Sequence, residues 1–510
     1  MTPFERLLAD PYAARRYLVV LEPWDRAAGA VVTLHYSDHG FTTEPGDTPA
    51  NTHFAARLHR DFVFRLQRDL FGDGRIAGRS QASRGEVVLA NPDGALDGLL
   101  GHAWDGRRVR VLLGAPDFAL ADFGVVFTGT AEGIRADDDL IAIIIRDPAA
   151  RFDRPLQPLR YLGTGGSEGG EDLADKPKPD AFGLVRNVEG VYLGLVEGRE
   201  TWQISAGPIA DVLACYSNGL ALVRAEGTPA AGEYAVDAAA GLLTLGGGSL
   251  GTIITADVKG AIGAAGWLSS APAIARHIAV ARGGLADPEE IDTAAFAALE
   301  ALCPQVVGLW SEAETTVAEA LDSLFGSIGA WWGFDRLGRL SCGRIEPPSA
   351  TPAAGFDDGA ALAIERLEVA LPAWRVTLGY GRCWRVLSGA GLAGGVDETR
   401  RRFLAAGERR AAAEDAGLRI VHPLAGDETV ASLLDDAADA AAEAARRLAL
   451  FGAPREAFRA RLKTQPFLLD LGATVELRSA RFGLADGRRL VVIGMTEDAA
   501  ANEVTLTLWG

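Results

Sequence analysis

Cysteine is scarce in this chain of 510 residues: Cys215, Cys303, Cys342 and Cys383 lie far apart, with no C-x-x-C spacing. That spacing supports neither a zinc ribbon nor an iron–sulfur cluster, and buried thiols are the expected state. Basic charge is also short. Fifty Lys and Arg against 68 Asp and Glu give a net charge of −18, which argues against binding nucleic acid by counterion release. It leaves room for nucleic acid that passes nearby without sticking. No stretch approaches the ~18 uninterrupted apolar residues of a membrane span. The first residues, MTPFERLLADPYAARRYLVVLEPWD, lack the basic start, apolar run and small-residue cleavage site of a signal peptide, so folding in the cytoplasm is expected.

What is present is β-strand grammar. Sixty-one glycines in a chain that is 48% hydrophobic point to many turns between strands, and the length suits roughly three or four domains. Strands are expected at Arg16 to Leu21, Ala30 to Tyr36 and Phe62 to Leu70. An antiparallel meander follows: Glu86 to Leu89, Arg108 to Leu113, Gly124 to Thr130 and Asp139 to Arg146, each rich in Val, Ile, Leu or Phe and bounded by Asn, Asp, Gly or Pro. Charged and apolar residues alternate through Arg108-Val109-Arg110-Val111, which predicts one wet and one buried face. Leu140 to Ile145 is apolar throughout and should be covered on both.

After Pro155 the run YLGTGGSEGGEDLADKPKPDAFG marks a boundary. Short strands return at Leu184 to Val188, Val191 to Val196, Leu242 to Leu245 and Thr252 to Val258. Helical spacing begins at Ala271 (Ile274, Ile278, Val280) and continues from Pro288 to Leu302. Ser311-Glu312-Ala313-Glu314 reads as a capping box opening a helix whose Val317, Leu321, Leu324 and Phe325 share a face. A β-hairpin is expected from Trp331 to Ile345. Strands at Ala361 to Leu371 and Trp374 to Gly381 precede a long helix from about Asp427 to Leu450, with Arg446 and Arg447 suited to its C-terminal dipole. Four strands close the chain: Ala457 to Leu462, Thr474 to Leu477, Arg489 to Glu497 and Glu503 to Trp509.

Candidate chemistry is thin. Two stretches match the nucleophile elbow G-x-S-x-G, around Ser167 and Ser249, but neither has the strand–turn–helix context that exposes a catalytic serine. His35, His39, His53 and His59 with Asp38 can be posed as a metal cluster, yet ordinary surface histidines account for them better. Asn91, Asp93 and Asp97 resemble half a calcium loop without its closing acid, so an Asx-turn at Asn91-Pro92-Asp93-Gly94 is preferred. Glu171-Asp172 and Asp137-Asp138-Asp139 are solvated turns before they are a glycosidase dyad. The glycine-rich run at 163–170 lacks the Gly-Lys-Ser/Thr ending of a phosphate loop. No catalytic, cofactor or metal residue is assigned, and no cofactor is expected.

Several stretches together resemble the tail-tip, or baseplate-hub, proteins of long-tailed (siphophage-like) bacteriophages and prophages: GDTPAN (46–51), FGDG (71–74), VVLANPDGALDGLL (87–100), VFTGT (126–130), RPLQPLRYLGT (154–164), DKPKPDAFGLVRNV (175–188), FGSIGAWWGFDRLGRL (325–340) and the closing run 471–510. They keep the family's order over nearly the whole chain, 345–425 being the least similar part. The resemblance implies a β-rich, multidomain α+β virion protein with two β-barrel, tube-like regions near the chain ends, bracketing a mixed middle. The expected units are 1–158 (first barrel), 159–265 (small β domain with a Gly/Pro-rich opening loop), 266–348 (helices plus hairpin) and 349–510 (second barrel with the helix 427–450). It implies a non-enzymatic hub at the tail tip or baseplate, a homotrimer that joins the distal tail protein to a central fibre, meets the tape-measure protein and rings the DNA-ejection channel, with −18 suiting a lumen that repels DNA. Arg108 and Arg110 are then expected to face the lumen or a neighbouring subunit. The alternatives are a tail-associated enzyme acting on cell-wall or surface glycan, and a carbohydrate-binding adhesin using exposed Trp-rich strands.

Overall fold

The computed structural model describes all residues except 1, 11, 60–64, 70–80, 248–251, 370, 464–466 and 500, and the side chains of 65–69 and 81–84 are likewise left aside. The motif at 71–74, Ser249 with its neighbours Gly248, Leu250 and Gly251, and the ends of the strand expected from Phe62 to Leu70 therefore lie outside the described residues.

The chain is β-rich with a few helices and several sheets. In the N-terminal part the strands are β1 (Arg16–Leu21), β2 (Arg65–Asp69), β3 (Gln81–Ala90), β4 (Arg108–Gly114), β5 (Gly124–Ala136) and β6 (Leu140–Arg146). The expected strand from Ala30 to Tyr36 is two pieces, Ala30–Val31 and Leu34–Ser37. The expected meander is corrected in one respect: β3 lies beside β6, giving the order β3-β6-β5-β4-β1. Three hairpin-linked strands with an earlier strand returned to their far side make a Greek key. The turn-rich link at 91–107 is long enough to cross to β4, which a tight hairpin is not.

The alternation in β4 is as expected. Val109, Val111 and Leu113 are fully buried, while Arg108 is exposed and Arg110 half-buried. In β6 one face is sealed by Ile141, Ile143 and Ile145. The other buries Ala142 but leaves Leu140 and Ile144 half-covered. Each fully buried aliphatic side chain contributes about 1.5–3 kcal/mol against the entropy of ordering the strand.

The middle begins with β7 (Asp180–Glu189), β8 (Ile209–Ser217) and β9 (Ile254–Gly263), the core of a six-stranded sheet. Beside it lies a five-stranded sheet that includes Val191–Val196, Arg199–Gln203, Glu233–Asp237 and Leu242–Leu245. Next come α1 (Ala271–Ala281), α2 (Thr293–Leu302), β10 (Gly308–Ser311), α3 (Val317–Ser327) and the hairpin β11 (Ala330–Phe334) with β12 (Leu340–Arg344). Pro288 lies outside α2, which is capped by Asp292. The capping box is formed by Thr316 and Glu319. Ser311 instead ends β10, paired with Asp180. Val317, Leu321, Leu324 and Phe325 are all fully buried, as the spacing predicts.

The last part holds β13 (Ala361–Leu367), β14 (Ala373–Tyr380), α4 (Glu398–Leu404), β15 (Arg409–Glu414), α5 (Ala416–Val421), β16 (Gly426–Val430), α6 (Ala437–Gly452), β17 (Ala457–Leu462), β18 (Thr474–Leu477), β19 (Arg488–Asp498) and β20 (Glu503–Trp509). The long helix expected from Asp427 starts ten residues later, because β16 pairs in parallel with β14. Arg446 and Arg447 do not serve the helix terminus: both bond Glu443 one turn back, and Arg447 also reaches the Gly326 carbonyl at 2.6 Å.

The two terminal β regions are one sheet. β2 pairs with both β3 and β19, so a sheet of fifteen strands runs β13-β17-β20-β19-β2-β3-β6-β5-β4-β1 and on to short strands around residues 34–56. Among the described residues this path does not close on itself.

Candidate functional surface

Ser167 sits in a single 3-10 turn, Gly166–Glu168, shaped by left-handed Gly165, Gly166 and Gly169. Its neighbour Glu168 bonds Lys178 at 2.7 Å and accepts the Leu162 amide, so the run is a loop clasp rather than a nucleophile elbow. The histidines do not converge. The strand bearing His35 ends at Ser37, His35 packs edge-on to Phe54 at 4.8 Å, His53 bonds Thr42 at 2.9 Å, and His39 is exposed beside Asp38. Among the described residues, no group of three His, Cys, Asp or Glu is arranged to hold a metal ion.

Asn91 bonds Asp97 at 2.8 Å and accepts the Leu96 amide. The Asx-turn belongs to Asp93, whose Oδ1 accepts from Ala95 at 3.2 Å. Arg57 grips the same carboxylate at 2.8 and 2.7 Å, holding its pKa down at about 2. Asp137 caps the β5–β6 turn by accepting from the Asp139 and Leu140 amides, and Glu171 and Asp172 open another short turn. All four cysteines are buried and free, and burial pushes the Cys215 thiol up to about 12.

None of the ten tryptophans is exposed. Trp104, Trp202, Trp310, Trp332 and Trp509 are buried, and half-buried Trp24, Trp267, Trp374 and Trp384 each lie under a cation.

What the sheet does build is a polar row. Its backbone register runs through Arg108, Thr130 and Arg146 in β4, β5 and β6, on through residues 84 and 67 of β3 and β2, to Thr496, Thr505 and Arg461 in β19, β20 and β17. Because side chains alternate across a strand, Arg108, Thr130 and Arg146 share one face, as do Thr496, Thr505 and Arg461. The next residues along β4 and β17, Val109 and Leu462, are fully buried behind it. Two arginines of the row have acidic companions, Arg461–Glu503 at 2.7 Å and Arg146–Glu132 at 3.7 Å, as do Arg459–Glu365 at 2.9 Å and Arg110–Glu22 at 4.0 Å on the same face.

The seam between the terminal regions is pinned by Arg336, a residue without a sequence signal beyond its place in the Asp335–Gly338 turn. Left-handed Gly338 (φ +75°) closes that turn at the tip of the β11–β12 hairpin and brings it against Thr128 of β5, whose amide donates to the Arg336 carbonyl at 2.7 Å. The Arg336 guanidinium is buried against the Phe467 and Leu469 carbonyls and stands 3.3 Å from the Glu497 carboxylate of β19, itself fully buried. One residue thus ties the middle to both ends, by its carbonyl to β5 and by its side chain to the closing strands.

A second polar knot holds the segment after β14. Asn187, fully buried with φ 54°, accepts from Thr255 at 2.7 Å and Arg400 at 2.6 Å, and its amide donates to Asp257 at 2.8 Å. Tyr216 donates to Asp257 at 2.9 Å, and the Arg400 guanidinium lies 3.6 Å over the Tyr216 ring.

Two depressions are open to solvent. One, of about 630 Å³, lies between α5, β15 and the end of α6; the other, of about 100 Å³, is lined by Arg344, Arg446, Glu443 and Asp439. Each is lined by two acids, Glu414 and Asp415 in the first and Glu443 and Asp439 in the second, and by no Ser, Cys or His.

No protein-family model and no curated protein matches this chain. Solved structures do. The tail protein from Neisseria meningitidis MC58 is 12% identical at a TM-score of 0.42, covering 97% of this chain and 96% of that one. The 43 kDa tail protein of prophage MuSo2 from Shewanella oneidensis is 10% identical at 0.41, covering 96% and 95%. A chain in the virion of a native gene transfer agent is 16% identical at 0.44, covering 66% and 84%. The structural neighbours are therefore phage and prophage tail proteins and a virion component.

Proposed function

We propose that the chain is a non-enzymatic structural protein of a phage tail tip, the central hub that joins the tail tube and distal tail ring to a central fibre and rings the channel for tape-measure protein and DNA. The observation that carries this is the junction of both chain ends into one sheet, with a row of polar residues on each side of the junction. Eight strands share that register. Three copies contribute about 24 strands. At ~4.8 Å per strand and ~40° tilt these close a ring about 48 Å across, leaving about 38 Å inside a ~5 Å layer of side chains. That opening passes a DNA duplex. In this arrangement each chain end supplies one tube-like unit, 1–158 and 349–510, with 159–265 and 266–348 between them.

The row is better described as charge-compensated than acidic. An unpaired basic wall would trap a polyanion, whereas arginines paired with Glu503 and Glu132 leave little for phosphates to bind. The adhesin alternative is not favoured, since a stacking platform needs exposed aromatic faces and the tryptophans are covered.

Electron microscopy of the purified chain and of the assembled particle tests the reading. It expects three copies around a pore with Arg108, Thr505 and Arg461 facing the opening. A pore lined by other residues, or a chain placed outside the channel wall, refutes it. Release of sugar from purified cell walls would establish the enzyme alternative.

A further inference from the structure

Between β14 and β15 the chain makes an excursion that returns beside its starting point, since Tyr380 pairs with Arg409. The excursion has a fixed base and a head. In the base, Trp384 packs against two hydrophobic cores, and the Trp384 and Arg385 amides donate to the Arg186 and Asn187 carbonyls of β7 at 3.2 and 3.0 Å. The head, residues 386–406, is held differently. Within it only Leu387, Val396 and Leu404 are buried, and they gather with half-buried Leu392 and Phe403 into a small cluster of their own. Beyond the head that cluster meets Cys383 of the base, Ile253 and left-handed Gly219, where a Cβ would run into Leu404 and Leu392. A unit with few buried side chains and a small core of its own belongs to the low end of local stability, where segments open before their surroundings do. What fastens the head is largely polar. The Arg400 guanidinium of α4 lies 3.6 Å over the Tyr216 ring of β8, donates to Asn187 Oδ1 at 2.6 Å and stands 3.9 Å from the Asp257 carboxylate of β9. The Ala393 amide donates to the Asn218 carbonyl at 2.9 Å, and Arg409 of the returning strand bonds the Phe403 carbonyl. Asn187 and Asp257 are both buried in the closed arrangement, as is the Cys383 thiol.

We propose that residues 386–406 are a lid that opens and closes as one body over the end of the six-stranded sheet, with Arg400 as its latch. Opening uncovers the side chains of Asn187, Tyr216 and Asp257 and the Cys383 thiol, while the base and the strands β14 and β15 stay paired.

Alkylation of the native full chain with iodoacetamide, read by mass spectrometry, reports opening at Cys383. Cys215, Cys303 and Cys342, buried in other cores, serve as internal references. Cys383 is expected to react about tenfold or more faster than Cys215, because local opening is more frequent than global unfolding. Arg400→Met should speed Cys383 by about another tenfold and leave the other three thiols unchanged, with Arg400→Lys in between, since it keeps a cation for the Tyr216 ring but loses the planar fork. In Arg400→Met the amides of peptides within 386–406 should exchange faster together, while peptides from β14 and β15 keep their native rates. Unchanged Cys215 labelling and an unchanged melting temperature check that the variants fold. Cys383 reacting no faster than Cys215, a Cys383 rate that the Arg400 variants leave as it was, or a rise in all four thiols alike would overturn the proposal.

Discussion

Replacing Arg336 by Met tests the idea that one guanidinium locks the seam of the long sheet. Methionine keeps most of the apolar stem but takes the Arg336 cation from the buried Glu497 carboxylate and its N–H donors from the Phe467 and Leu469 carbonyls. Removing one partner of a buried ion pair costs about 3–5 kcal/mol. Amide exchange through local opening of β19 and β20 should then accelerate by roughly two to four orders of magnitude, at about 1.4 kcal/mol per decade. Exchange mass spectrometry on peptides from 488–509 reads this directly, with peptides from β7 to β9 as internal reference. Adding Glu497→Gln removes the buried charge that Arg336 had balanced and should recover more than about 1 kcal/mol of the loss. Exchange within tenfold of the native chain, or no recovery in the double variant, would refute the lock.

Three further outcomes are expected. Asp180 is buried against the Arg282 guanidinium at 3.1 Å, and burial raises its carboxyl to about 6 from an ordinary 3.8. Between those values the folded chain holds a proton that the unfolded chain has lost, so this group's contribution to stability falls as pH rises, by about 3 kcal/mol in all. Asp180→Asn should flatten the pH dependence of the urea midpoint between about 4 and 6, and a steeper fall in the variant would contradict the assignment. Gly183 in β7 has φ +69°, and a Cβ there would meet the Val307 carbonyl oxygen at 1.9 Å. Gly183→Ala should therefore cost about 3 kcal/mol or more, read as a lowered melting temperature. Thr316→Ala removes the cap of α3 and should cost about 1 kcal/mol, seen as faster amide exchange in 317–321, whereas Ser311→Ala should leave the helix start unchanged.

Where local pattern and tertiary demand agree, the residues are readable without coordinates. The four closing strands lie within about a residue of their expected limits, because each alternates toward one buried face and turn formers bound it. Val317, Leu321, Leu324 and Phe325 are legible for the same reason. Elsewhere partners decide. Gly426–Val430 has helical neighbours in sequence, but β14 offers it a parallel ladder and takes it into a sheet. Ser311-x-x-Glu314 and Thr316-x-x-Glu319 are equal as motifs, and only the pairing of Ser311 with Asp180 separates them. The strands Ile209–Ser217 and Glu233–Asp237 escape notice because Asp and Ala dilute their apolar alternation. The functional surface shows the same division. The alternation at Arg108 and Arg110 is visible locally, whereas its continuation through Thr496, Thr505 and Arg461 depends on the pairing of β2 with β19, between residues with no local signal for each other.

That pairing also sets an order of events on the ribosome. Asp69 pairs with Gly494, so 494 − 69 = 425 residues separate the two sides of the seam. At about 5–20 residues per second, synthesis leaves the early strands waiting roughly 20 to 85 s for their neighbour. During that interval β2 has no permanent companion on one side, and an unpaired strand edge recruits whatever strand it meets. Nascent chains on a shared message hold such edges within reach of one another. Slower translation past residue 150, or crowding of ribosomes, should therefore lower the yield of native chain more than its final stability would suggest, and early arrival of the 488–509 segment, supplied in trans as a peptide, should raise it.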